Sequence, residues 1–334
     1  MSDYDFDFDS IDRLFSPRAV AVVGVSDTPG NQGRFLLESI ATRGYRGKIY
    51  AVNSRRDVKG WESYRKVSDI PGPVDHLIVT VPAAAVPEVI ADAGKKGVRS
   101  AAMFSSGFSE WGAGDGEKLQ EELKKVGQEA GVRLIGPNCM GFYCPETGLS
   151  FRPDLPMLNG PVGFVSQSGG VSITGIFMGE ERGIGFSKVI SYGNETDMGA
   201  PEFLDYFAQD PKTKIILLYI EGASRGRMLF AALKRACAKK PVFVLKGGST
   251  SAGQRAVSSH TGAMAGATSI WESMFRQAGA KTVRDLDELL DAAQTAVMLP
   301  HVSGRNVALL TVSGGFGVFA TDIVERIGFN MPQF

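Results

Sequence analysis

The order of hydrophobic and polar positions along the chain predicts a repeated alternation of strands and helices. An apolar run over residues 19–25 is followed by a glycine-rich turn and then by an amphipathic stretch over residues 33–43. Parallel sheets with crossover helices produce this alternation of strand-length and helix-length segments. We therefore expect an α/β protein with a doubly wound parallel sheet.

The same alternation continues as far as residue 144. Further strands are predicted at residues 48–52, 74–81, 100–104 and 133–135, and further helices at residues 83–96 and 116–130. These elements predict a first domain over residues 1–144. Its acidic amino-terminal residues are interpreted as a short frayed tail.

A second domain is predicted after a segment rich in proline and glycine that has no clear hydrophobic period, residues 145–160. Strands are then predicted at residues 162–166, 187–191, 214–220 and 241–245, and helices at residues 170–182, 201–208, 224–237, 267–277 and 285–298. This pattern indicates a second open parallel sheet over residues 145–304.

A remainder follows the two predicted domains. At roughly 150 residues per domain, 334 residues are a little more than two domains. A strand at residues 306–312 and a helix at residues 316–326 are predicted there. One strand and one helix cannot bury their apolar faces alone. Residues 305–334 are therefore expected to begin a third α/β domain that is cut short.

Composition narrows the class of protein. Hydrophobic residues make up 43% and charged residues 22% of the chain, values typical of a globular fold. The 36 basic residues balance the 36 acidic ones, so no global field attracts nucleic acid or an anionic membrane. The acidic start lacks the features of a secretory signal, and no long apolar run follows. The 3 cysteines can neither pair completely nor supply a second metal-binding couple. We expect a cytoplasmic protein without a metal site.

The first glycine-rich turn, residues 24–33, is a candidate anion site, because free N–H groups and the helix dipole meet there. It lacks the G-x-G-x-x-G fingerprint, since Ser26 occupies the second glycine position. After the second strand the chain reads Asn53-Ser54-Arg55-Arg56, where a nicotinamide domain usually places an acidic residue. Basic residues suit a phosphate on the ribose, which CoA and NADP both carry, and the missing fingerprint favours CoA. A tight turn with surface arginines is the alternative.

Two more strand-to-helix turns have a pattern suited to phosphate, residues 166–170 (SQSGG) and 313–317 (SGGFG). Each can present several N–H donors to one small anion. Glycine in such turns also serves close packing of a helix on a sheet, so each turn alone is a weak signal. If both faced one phosphate, its charge would be held from two sides.

One of the three histidines stands apart. His76 falls in a strand pattern and His301 in a loop, and both are interpreted as structural or solvated. His260 lies in a run of small residues, 258–266, where either a reactive role or an ordinary surface position fits. Glu221 follows the strand at residues 214–220. A carboxylate there could fix the histidine tautomer and leave the other nitrogen nucleophilic. An exposed glutamate at a strand end is the alternative.

Taken together, these motifs resemble a known family. LFSPRAVAVVGVS, GPNCMG, VGFVSQSGG, SYGNETD, YIEG and SSHTGAMAG occur in the order found in the NDP-forming (ADP-forming) acyl-CoA synthetases, relatives of the succinyl-CoA synthetase α subunit. The likeness covers nearly the whole chain. It implies an N-terminal Rossmann-like CoA-binding domain, then a flavodoxin-like parallel-sheet ligase domain with a phosphohistidine loop, then the start of a third ligase-CoA domain.

The resemblance also implies roles for individual residues. His260 is the expected phosphate carrier and Glu221 its orienting carboxylate. The expected phosphate-binding residues are Ser166, Ser168, Gly169, Gly170, Gly314 and Gly315. The expected CoA-binding residues are Gly24, Ser26, Gln32, Asn53, Arg55, Ser105, Gly107 and Asn138. Asn194 and Asp197 are expected near the acyl group or the phosphate.

The implied activity is that of an acid–thiol ligase. Acyl-CoA and phosphate give acyl phosphate and CoA; acyl phosphate then phosphorylates His260, and the phosphohistidine passes its phosphoryl group to a nucleoside diphosphate. The partners implied are CoA, a small carboxylic acid or its acyl-CoA, and an ATP-grasp domain or subunit, which would bind ATP or ADP with Mg²⁺ and is not found in these residues. An oligomer is expected. Acetate, branched, aryl and dicarboxylic acids all stay open, as does the nucleotide base.

The sequence departs from the family pattern in two turns. The run Lys246-Gly247-Gly248-Ser249-Thr250 lacks the arginine of the usual Gly-Arg-Thr, and Asn53-Ser54-Arg55 replaces Asn-Pro-Lys. Two other functions are weighed. A CoA-binding regulatory module would need no phosphohistidine. A hydrolase using Ser168, Asp197 and His260 would need the G-x-S-x-G elbow, in which Ser166 here replaces the first glycine.

Overall fold

The computed structural model describes residues 7–111, 114–261, 267–299 and 303–333, and for residues 258–261 it describes the backbone alone. The described residues up to Val297 form one compact unit that contains two sheets. Those from Met298 onward form a second, small unit. Each unit is described by itself.

The first sheet has six parallel strands in the order β3-β2-β1-β4-β5-β6. The strands are β1 (Ala19–Val23), β2 (Lys48–Val52), β3 (Ser63–Tyr64), β4 (His76–Val79), β5 (Ser100–Met103) and β6 (Arg133–Ile135). Its helices, after an N-terminal helix α1 (Phe8–Phe15), are α2 (Gln32–Thr42), α3 (Val86–Lys96) and α4 (Asp115–Ala130), with 3-10 turns at Val67–Asp69, Ala83–Ala85 and Ser109–Trp111. This strand order is that of the Rossmann fold.

The second sheet has the order β12-β11-β10-β8-β9-β7. Its strands are β7 (Gly141–Tyr143), β8 (Asn159–Ser166), β9 (Phe186–Ser191), β10 (Ile215–Ile220), β11 (Val242–Lys246) and β12 (Lys281–Val283). Its helices are α5 (Gly169–Glu181), α6 (Ala200–Gln209), α7 (Gly226–Cys237), α8 (Ser251–Thr261), α9 (Thr268–Ala278) and α10 (Leu286–Met298). The parallel strands β8 to β12 follow the flavodoxin order, and β7 pairs antiparallel with β9. The predicted fold class, Rossmann-like then flavodoxin-like, is confirmed.

Burial explains why the strands read as continuous apolar runs. All five residues of β1 are buried, as are all six of β9, because helices cover both faces of a parallel sheet. β7 lies before the predicted boundary at residue 144, yet it belongs to the second sheet.

The N-terminal helix α1 precedes the first sheet in the chain but packs on helix α6 of the second. Phe15 stacks on Tyr206 of α6 with ring centroids 5.4 Å apart, and Phe8 stacks on the same ring at 5.0 Å. A buried ion pair between Lys188 and Asp210, at 2.8 Å, lies beneath these rings, with the Lys188 ammonium 5.3 Å from the Tyr206 ring centroid. The interpretation of the acidic start as a frayed tail is therefore wrong from Phe8 onward, because the apolar face of α1 is buried.

The second unit contains α11 (Gly314–Arg326), as predicted, but not the strand expected at residues 306–312. Within the described part of this unit, Asn306 makes a single bridge to Asn330, and the following residues have no strand partner. Leu310 and Val312 are fully exposed. An apolar run without a neighbouring strand leaves its N–H and C=O groups without a ladder, so the strand prediction is wrong here. Across the described residues, every helix is too short or too polar to cross a bilayer.

Candidate functional site

The glycine-rich turn after β1 is closed by the side chain of Asn31. Its Oδ1 accepts hydrogen bonds from the N–H of Ser26 at 3.0 Å and of Arg34 at 2.8 Å, while its Nδ2 donates to the Gly24 carbonyl at 3.0 Å. Gly24 has a φ of +96°, and a Cβ there would lie 2.6 Å from Thr80 Oγ1. Only glycine fits this position. The turn is thus a rigid platform at the carboxyl end of β1.

The loop after β2 is ordered by Asn53 rather than by its arginines. The Asn53 amide donates to the Val25 carbonyl at 2.6 Å and accepts from the N–H groups of Arg55 and Arg56 at 2.9 and 3.2 Å. Arg55 is exposed. Asn53 therefore fixes the backbone that carries the basic side chains, which remain available to an anion.

These two loops border the basic groove, a cleft of about 600 Å³ at the carboxyl ends of β1 and β2. Gly24, Ser26, Asn53 and Arg55, all predicted CoA-binding residues, line it. The cationic side chains that line it are Arg55, Arg56, Arg65, Lys66 and Lys95. The local excess of positive charge suits a ligand with several phosphates.

Hydrogen bonds join the loops after β5 and β6. Ser105 Oγ donates to the Val81 carbonyl at 2.5 Å, and the Ser105 carbonyl accepts from the N–H of Asn138 at 2.9 Å. Gly107, with a φ of +108°, donates its N–H to Glu110 Oε1 at 2.6 Å. Asn138 has a φ of +55°, an uncommon value for a residue other than glycine. Ser105 and Gly107 thus shape the loops, and Asn138 is held at their edge.

The predicted phosphate turn forms the N-terminus of α5. Ser166 Oγ donates to the Ser168 carbonyl at 2.6 Å, and Ser168 Oγ caps the helix by accepting the N–H three residues on at 3.4 Å. A Cβ on Gly169 would lie 2.5 Å from Met140 Cγ, so this position has no room for a side chain. Gly170 is exposed, and a Cβ there would meet only Ser168 Oγ, at 3.9 Å. The N-terminal N–H groups and the helix dipole therefore face a site where an anion is stabilised.

Glu221 is buried at the end of β10, with 6% of its surface exposed, which excludes the alternative of a solvent-exposed glutamate. Gln167 Oε1 accepts from the N–H of Glu221 at 2.7 Å, and the Tyr219 hydroxyl donates to Glu221 Oε1 at 3.0 Å. Lys246 Nζ donates to the Glu221 carbonyl at 2.7 Å. Burial, and after it the negative charge of Glu221, raise the pKa of Tyr219, which keeps its proton for this bond. The carboxylate is thus held in one orientation.

The two residues predicted near the substrate differ in position. Asn194 Nδ2 donates to Glu110 Oε2 at 2.6 Å and so connects the two sheets next to the Gly107 loop. The Asp197 carboxylate pairs with Arg133 at 2.7 Å and accepts the N–H of Leu134 at 3.0 Å. Asp197 therefore anchors β6, which argues against a hydrolase triad that includes it.

A buried charge cluster supports the loop that carries Asn194. Arg225 Nη2 lies 3.0 Å from Glu195 Oε1 and 2.9 Å from Glu202 Oε2. Glu195 has a φ of +57°, and burial raises the pKa of its carboxyl while Arg225 opposes that change. The cluster fixes the loop between β9 and α6.

Six of the predicted residues meet in the reaction cavity, a space of about 440 Å³. They are Asn138, Ser168, Gly169, Gly170, Asn194 and Glu221. The cavity therefore has on one wall a helix N-terminus, whose N–H groups and dipole favour an anion, and on another a carboxylate held by Tyr219. Ser166, Ser105, Gly107 and Asp197 are not among the residues that line it and act on the surrounding backbone.

A third space, the turn cavity of about 830 Å³, lies between the other two. Ser26 and Thr28 line both the basic groove and the turn cavity, and Phe104 and Met140 line both the turn cavity and the reaction cavity. Gln32, the first residue of α2, also lines the turn cavity. The basic groove, the turn cavity and the reaction cavity therefore adjoin one another in that order, from the cationic side chains to Glu221.

The side chain of His260 and the whole of residues 262–266 lie outside the described residues. The backbone of His260 belongs to α8, which lies against the 3-10 turn Ser109–Trp111 next to Glu110. The run Lys246–Thr250 departs from the family pattern. In it, Thr250 Oγ1 accepts a hydrogen bond from the N–H of Gly253 at 3.1 Å, at the start of α8. Gly314 and Gly315 are the first two residues of α11 in the second unit.

Several residues of the site were not identified from the sequence. Asn31 stands directly before helix α2, and an asparagine at that position could have been predicted as the N-cap of the helix. The sequence carries no local signal for four other residues. Three of them, Gln167, Glu110 and Met140, contact residues far away in the chain. The fourth, Tyr219, reaches Glu221 only because β10 ends between them.

This fold and site define a class of protein: an α/β protein with a Rossmann-like domain and a flavodoxin-like domain, in which a basic groove and a helix N-terminus that favours an anion lie along one series of spaces. Residues 18–145 match the CoA binding domain, and residues 159–296 match the succinyl-CoA ligase like flavodoxin domain. The chain is 37% identical over 331 residues to acetate–CoA ligase [ADP-forming] I subunit alpha of Pyrococcus furiosus, covering 96% of this chain and 71% of that subunit. The chain belongs to the ADP-forming acyl-CoA synthetase family.

Two further comparisons agree with this membership. Acetate–CoA ligase [ADP-forming] I of Archaeoglobus fulgidus is 38% identical over 97% of this chain, which spans 47% of that longer protein. The solved structure of acetyl-coenzyme A synthetase 1 of Ca. Korarchaeum cryptofilum, in complex with phosphate and ADP, superposes with a TM-score of 0.89 at 36% identity. The superposition covers 97% of this chain and 70% of the solved chain. The chain thus spans about half of one relative and about 70% of the others.

Proposed function

We propose that this chain is the α-type part of an ADP-forming acyl-CoA synthetase, in which it binds CoA and carries a phosphoryl group on His260. The observation that carries the proposal is the reaction cavity, where the N-terminus of α5 and the buried Glu221 line one space. A regulatory CoA-binding module would not require a glutamate whose backbone is held by Gln167 and whose carboxylate is held by Tyr219 at that place.

The series of three spaces supports an extended binding mode for CoA. Its phosphates bind in the basic groove, where charged hydrogen bonds to arginine are strong. The pantetheine arm then follows the turn cavity past Ser26 and Thr28. The thioester carbonyl reaches the reaction cavity beside Phe104 and Met140. In this arrangement the reactive carbon lies next to the phosphate at α5.

The first chemical step is an attack by a phosphate oxygen on the thioester carbonyl carbon. The C–S bond breaks, and the thiolate takes up a proton and leaves as CoA. The N–H groups of the first turn of α5 and its dipole stabilise the phosphate and the acyl phosphate that forms. Positioning of the two reactants within one cavity supplies much of the rate enhancement.

In the second step a ring nitrogen of His260 attacks the phosphorus of the acyl phosphate. The P–O bond to the acyl group breaks, and the carboxylate leaves as the free acid anion. Glu221 accepts a hydrogen bond from the other ring nitrogen, which fixes the tautomer and stabilises the positive charge that develops on the ring. The phosphoryl group then passes from His260 to ADP.

Other parts of the proposal rest on the family resemblance. An ATP-grasp domain or subunit outside these 334 residues would bind the nucleotide with Mg²⁺. We propose the division into residues 1–144, 145–304 and 305–334, an oligomeric assembly, and a cytoplasmic location. The assignment of Gly314 and Gly315 to phosphate binding stays a prediction.

Release of the CoA thiol tests the function. The chain, its ATP-grasp partner, acetyl-CoA, phosphate, ADP and Mg²⁺ are mixed, and the free thiol is followed with a thiol reagent. We expect continued release that requires phosphate and ADP. In His260→Asn the acyl phosphate cannot pass its phosphoryl group on, so release should stop after about one equivalent per chain, while CoA binding by calorimetry is unchanged. Binding of CoA without release in the wild type would favour the regulatory module. Release without phosphate, abolished by Ser168→Ala, would favour a hydrolase.

A further inference from the structure

Lys246 is the last residue of β11, at the point where the chain leaves the second sheet for helix α8. Its ammonium donates to the carbonyl of Glu221 at 2.7 Å and also to the carbonyl of Gly247. Lys246 pairs in the sheet with Ile220 of β10, so the ends of the two strands lie side by side. One ammonium group therefore joins the backbone of Glu221 to the start of the segment that leads to His260.

The same ammonium also contacts the helix that follows this segment. The Lys246 nitrogen lies 4.9 Å from the centroid of the Trp271 ring in α9, a cation–π contact. The ring of Trp271 packs in turn on Phe275, with centroids 5.6 Å apart, and Phe275 is buried. Lys246 thus contacts elements on both sides of residues 247–267, the segment that contains α8.

A hydrogen bond joins the two ends of this segment. Thr268 Oγ1, on the first residue of α9, donates to the Ser249 carbonyl at 2.8 Å. Gln254 of α8 donates from Nε2 to Thr268 Oγ1 at 3.4 Å. Because its ends are joined, the segment leaves the sheet from a closed base, and the position of this base sets where α8 begins.

The charge of Lys246 is coupled to the carboxylate of Glu221. Burial lowers the pKa of Lys246, and the negative charge of Glu221 opposes that change. Lys246 is not among the described residues that line the reaction cavity, whereas Glu221 is. An effect of Lys246 on the reaction is therefore expected through Glu221 and the segment it contacts, not through contact with phosphate.

We propose that Lys246 is a positioning residue for phosphoryl transfer, because it holds Glu221 and the base of the His260 segment in one arrangement. The carboxylate and the imidazole then face each other when the acyl phosphate has formed. This inference rests on the proposed function, since it assumes that His260 accepts the phosphoryl group. Loss of the ammonium should slow the transfer to His260 and leave the reaction of the thioester unchanged.

Two reactions of acetyl phosphate with the full chain separate these steps. With CoA, the thiolate attacks the acyl carbon, phosphate leaves, and the thioester that forms is followed by its absorbance. Without CoA, ³²P-labelled acetyl phosphate transfers its phosphoryl group to His260, acetate leaves, and label on the protein is followed by rapid quench. In Lys246→Met we expect labelling to be about tenfold slower or more, because a hydrogen bond from a charged group is lost, and thioester formation to be unchanged.

Lys240→Met is the matched control. Lys240 is also half-buried, and its ammonium donates to two carbonyls, of Phe207 at 2.5 Å and Asp210 at 2.6 Å, beside the other end of β11. This variant should show both reactions at the wild-type rates. Lys246→Arg, which keeps the charge and the donors, should recover most of the labelling rate.

Two results would overturn the assignment. One is labelling at the wild-type rate in folded Lys246→Met. The other is an equal slowing of labelling and of thioester formation, which would show a general disturbance of the fold. If Lys246→Met does not fold, Lys246→Gln, with a shorter uncharged side chain, carries the same expectation. Absence of label in the wild-type chain would instead overturn the proposed function, so the two failures are distinguishable.

Discussion

The hydroxyl of Tyr219 donates a hydrogen bond of 3.0 Å to Oε1 of Glu221, two residues further along the chain at the end of β10. Alternate residues of a strand lie on the same face, so the tyrosine holds the carboxylate from beside it. Gln167 fixes the backbone of Glu221 at the same time. The orientation of the carboxylate is therefore set by the fold before any substrate binds.

Removal of this support is expected to slow phosphorylation of the chain without unfolding it. Glu221→Gln keeps the shape of the side chain but loses the charge that stabilises the imidazolium. Tyr219→Phe loses a hydrogen bond to a charged group, worth about 1.5–3 kcal/mol, which corresponds to roughly a tenfold or greater loss of rate. Rapid-quench labelling with phosphate and acetyl-CoA measures both rates.

Tyr45→Phe is the matched control, because the Tyr45 hydroxyl donates to the Pro17 carbonyl at 2.7 Å and Tyr45 lines neither the turn cavity nor the reaction cavity. It should label at the wild-type rate. Wild-type labelling kinetics in folded Glu221→Gln would remove the orienting role of this carboxylate.

The basic groove is expected to recognise the 3′-phosphate of CoA. Arg55 lines this groove, and Asn53 fixes the backbone of its loop. Calorimetry should show that the chain binds CoA more tightly than dephospho-CoA by roughly 1.5–3 kcal/mol, the worth of a charged hydrogen bond. Arg55→Gln should reduce the difference, while Arg46→Gln, at an exposed arginine outside the groove, should preserve it. Equal wild-type affinities for the two ligands would show that the phosphate is not recognised there.

Gly169→Ala should destabilise the chain and weaken phosphate binding, because the new methyl group displaces Met140 from the N-terminus of α5. Overpacking of this kind costs about 1–3 kcal/mol of unfolding free energy. The double variant Gly169→Ala/Met140→Ala should recover most of that loss, since the two side chains then fit. Denaturant unfolding of Gly169→Ala, Met140→Ala and the double variant measures the coupling energy between the two positions. Additive losses would contradict the packing described here.

His76 predicts a pH dependence of stability. Burial lowers the pKa of its imidazole to about 3, against an ordinary value of 6.5. Between these two values the unfolded chain binds a proton that the folded chain does not, so His76 lowers the unfolding free energy as the pH falls below 6.5. The expected contribution is about 1.4 kcal/mol per pH unit. His76→Gln should lose stability less steeply over pH 6.5 to 4, and parallel curves for the two proteins would contradict this.

The sequence predicted the fold well where burial imposes long apolar runs. The strands at residues 48–52 and 133–135 were predicted with the bounds that the structure has. β3 and β12 were missed, because two or three residues carry no readable period. α1 was missed since its acidic composition hid an apolar face, and the strand at residues 306–312 was predicted from apolar character alone, which does not supply a pairing partner.

The sequence indicated residues of the candidate site but not the residues that hold them in place. Ser168, Gly169 and Glu221 were predicted from local signals, a strand end and a glycine turn, and all three line the reaction cavity. The roles of Gln167 and Glu110 depend on contacts between residues far apart in the chain. Asp197 was expected near the substrate, whereas its carboxylate pairs with Arg133. Contacts of this kind are set by the register of whole strands.

In the proposed mechanism His260 receives its phosphoryl group from the acyl-CoA side of the reaction. The most direct measurement incubates the full chain with acetyl-CoA and ³²P-phosphate in the absence of nucleotide, and follows label on the protein together with released CoA. We expect label that is acid-labile and base-stable, equal in amount to the CoA released, and absent from His260→Asn. Undiminished label in His260→Asn, or no label in a wild-type chain that binds acetyl-CoA, would contradict this mechanism.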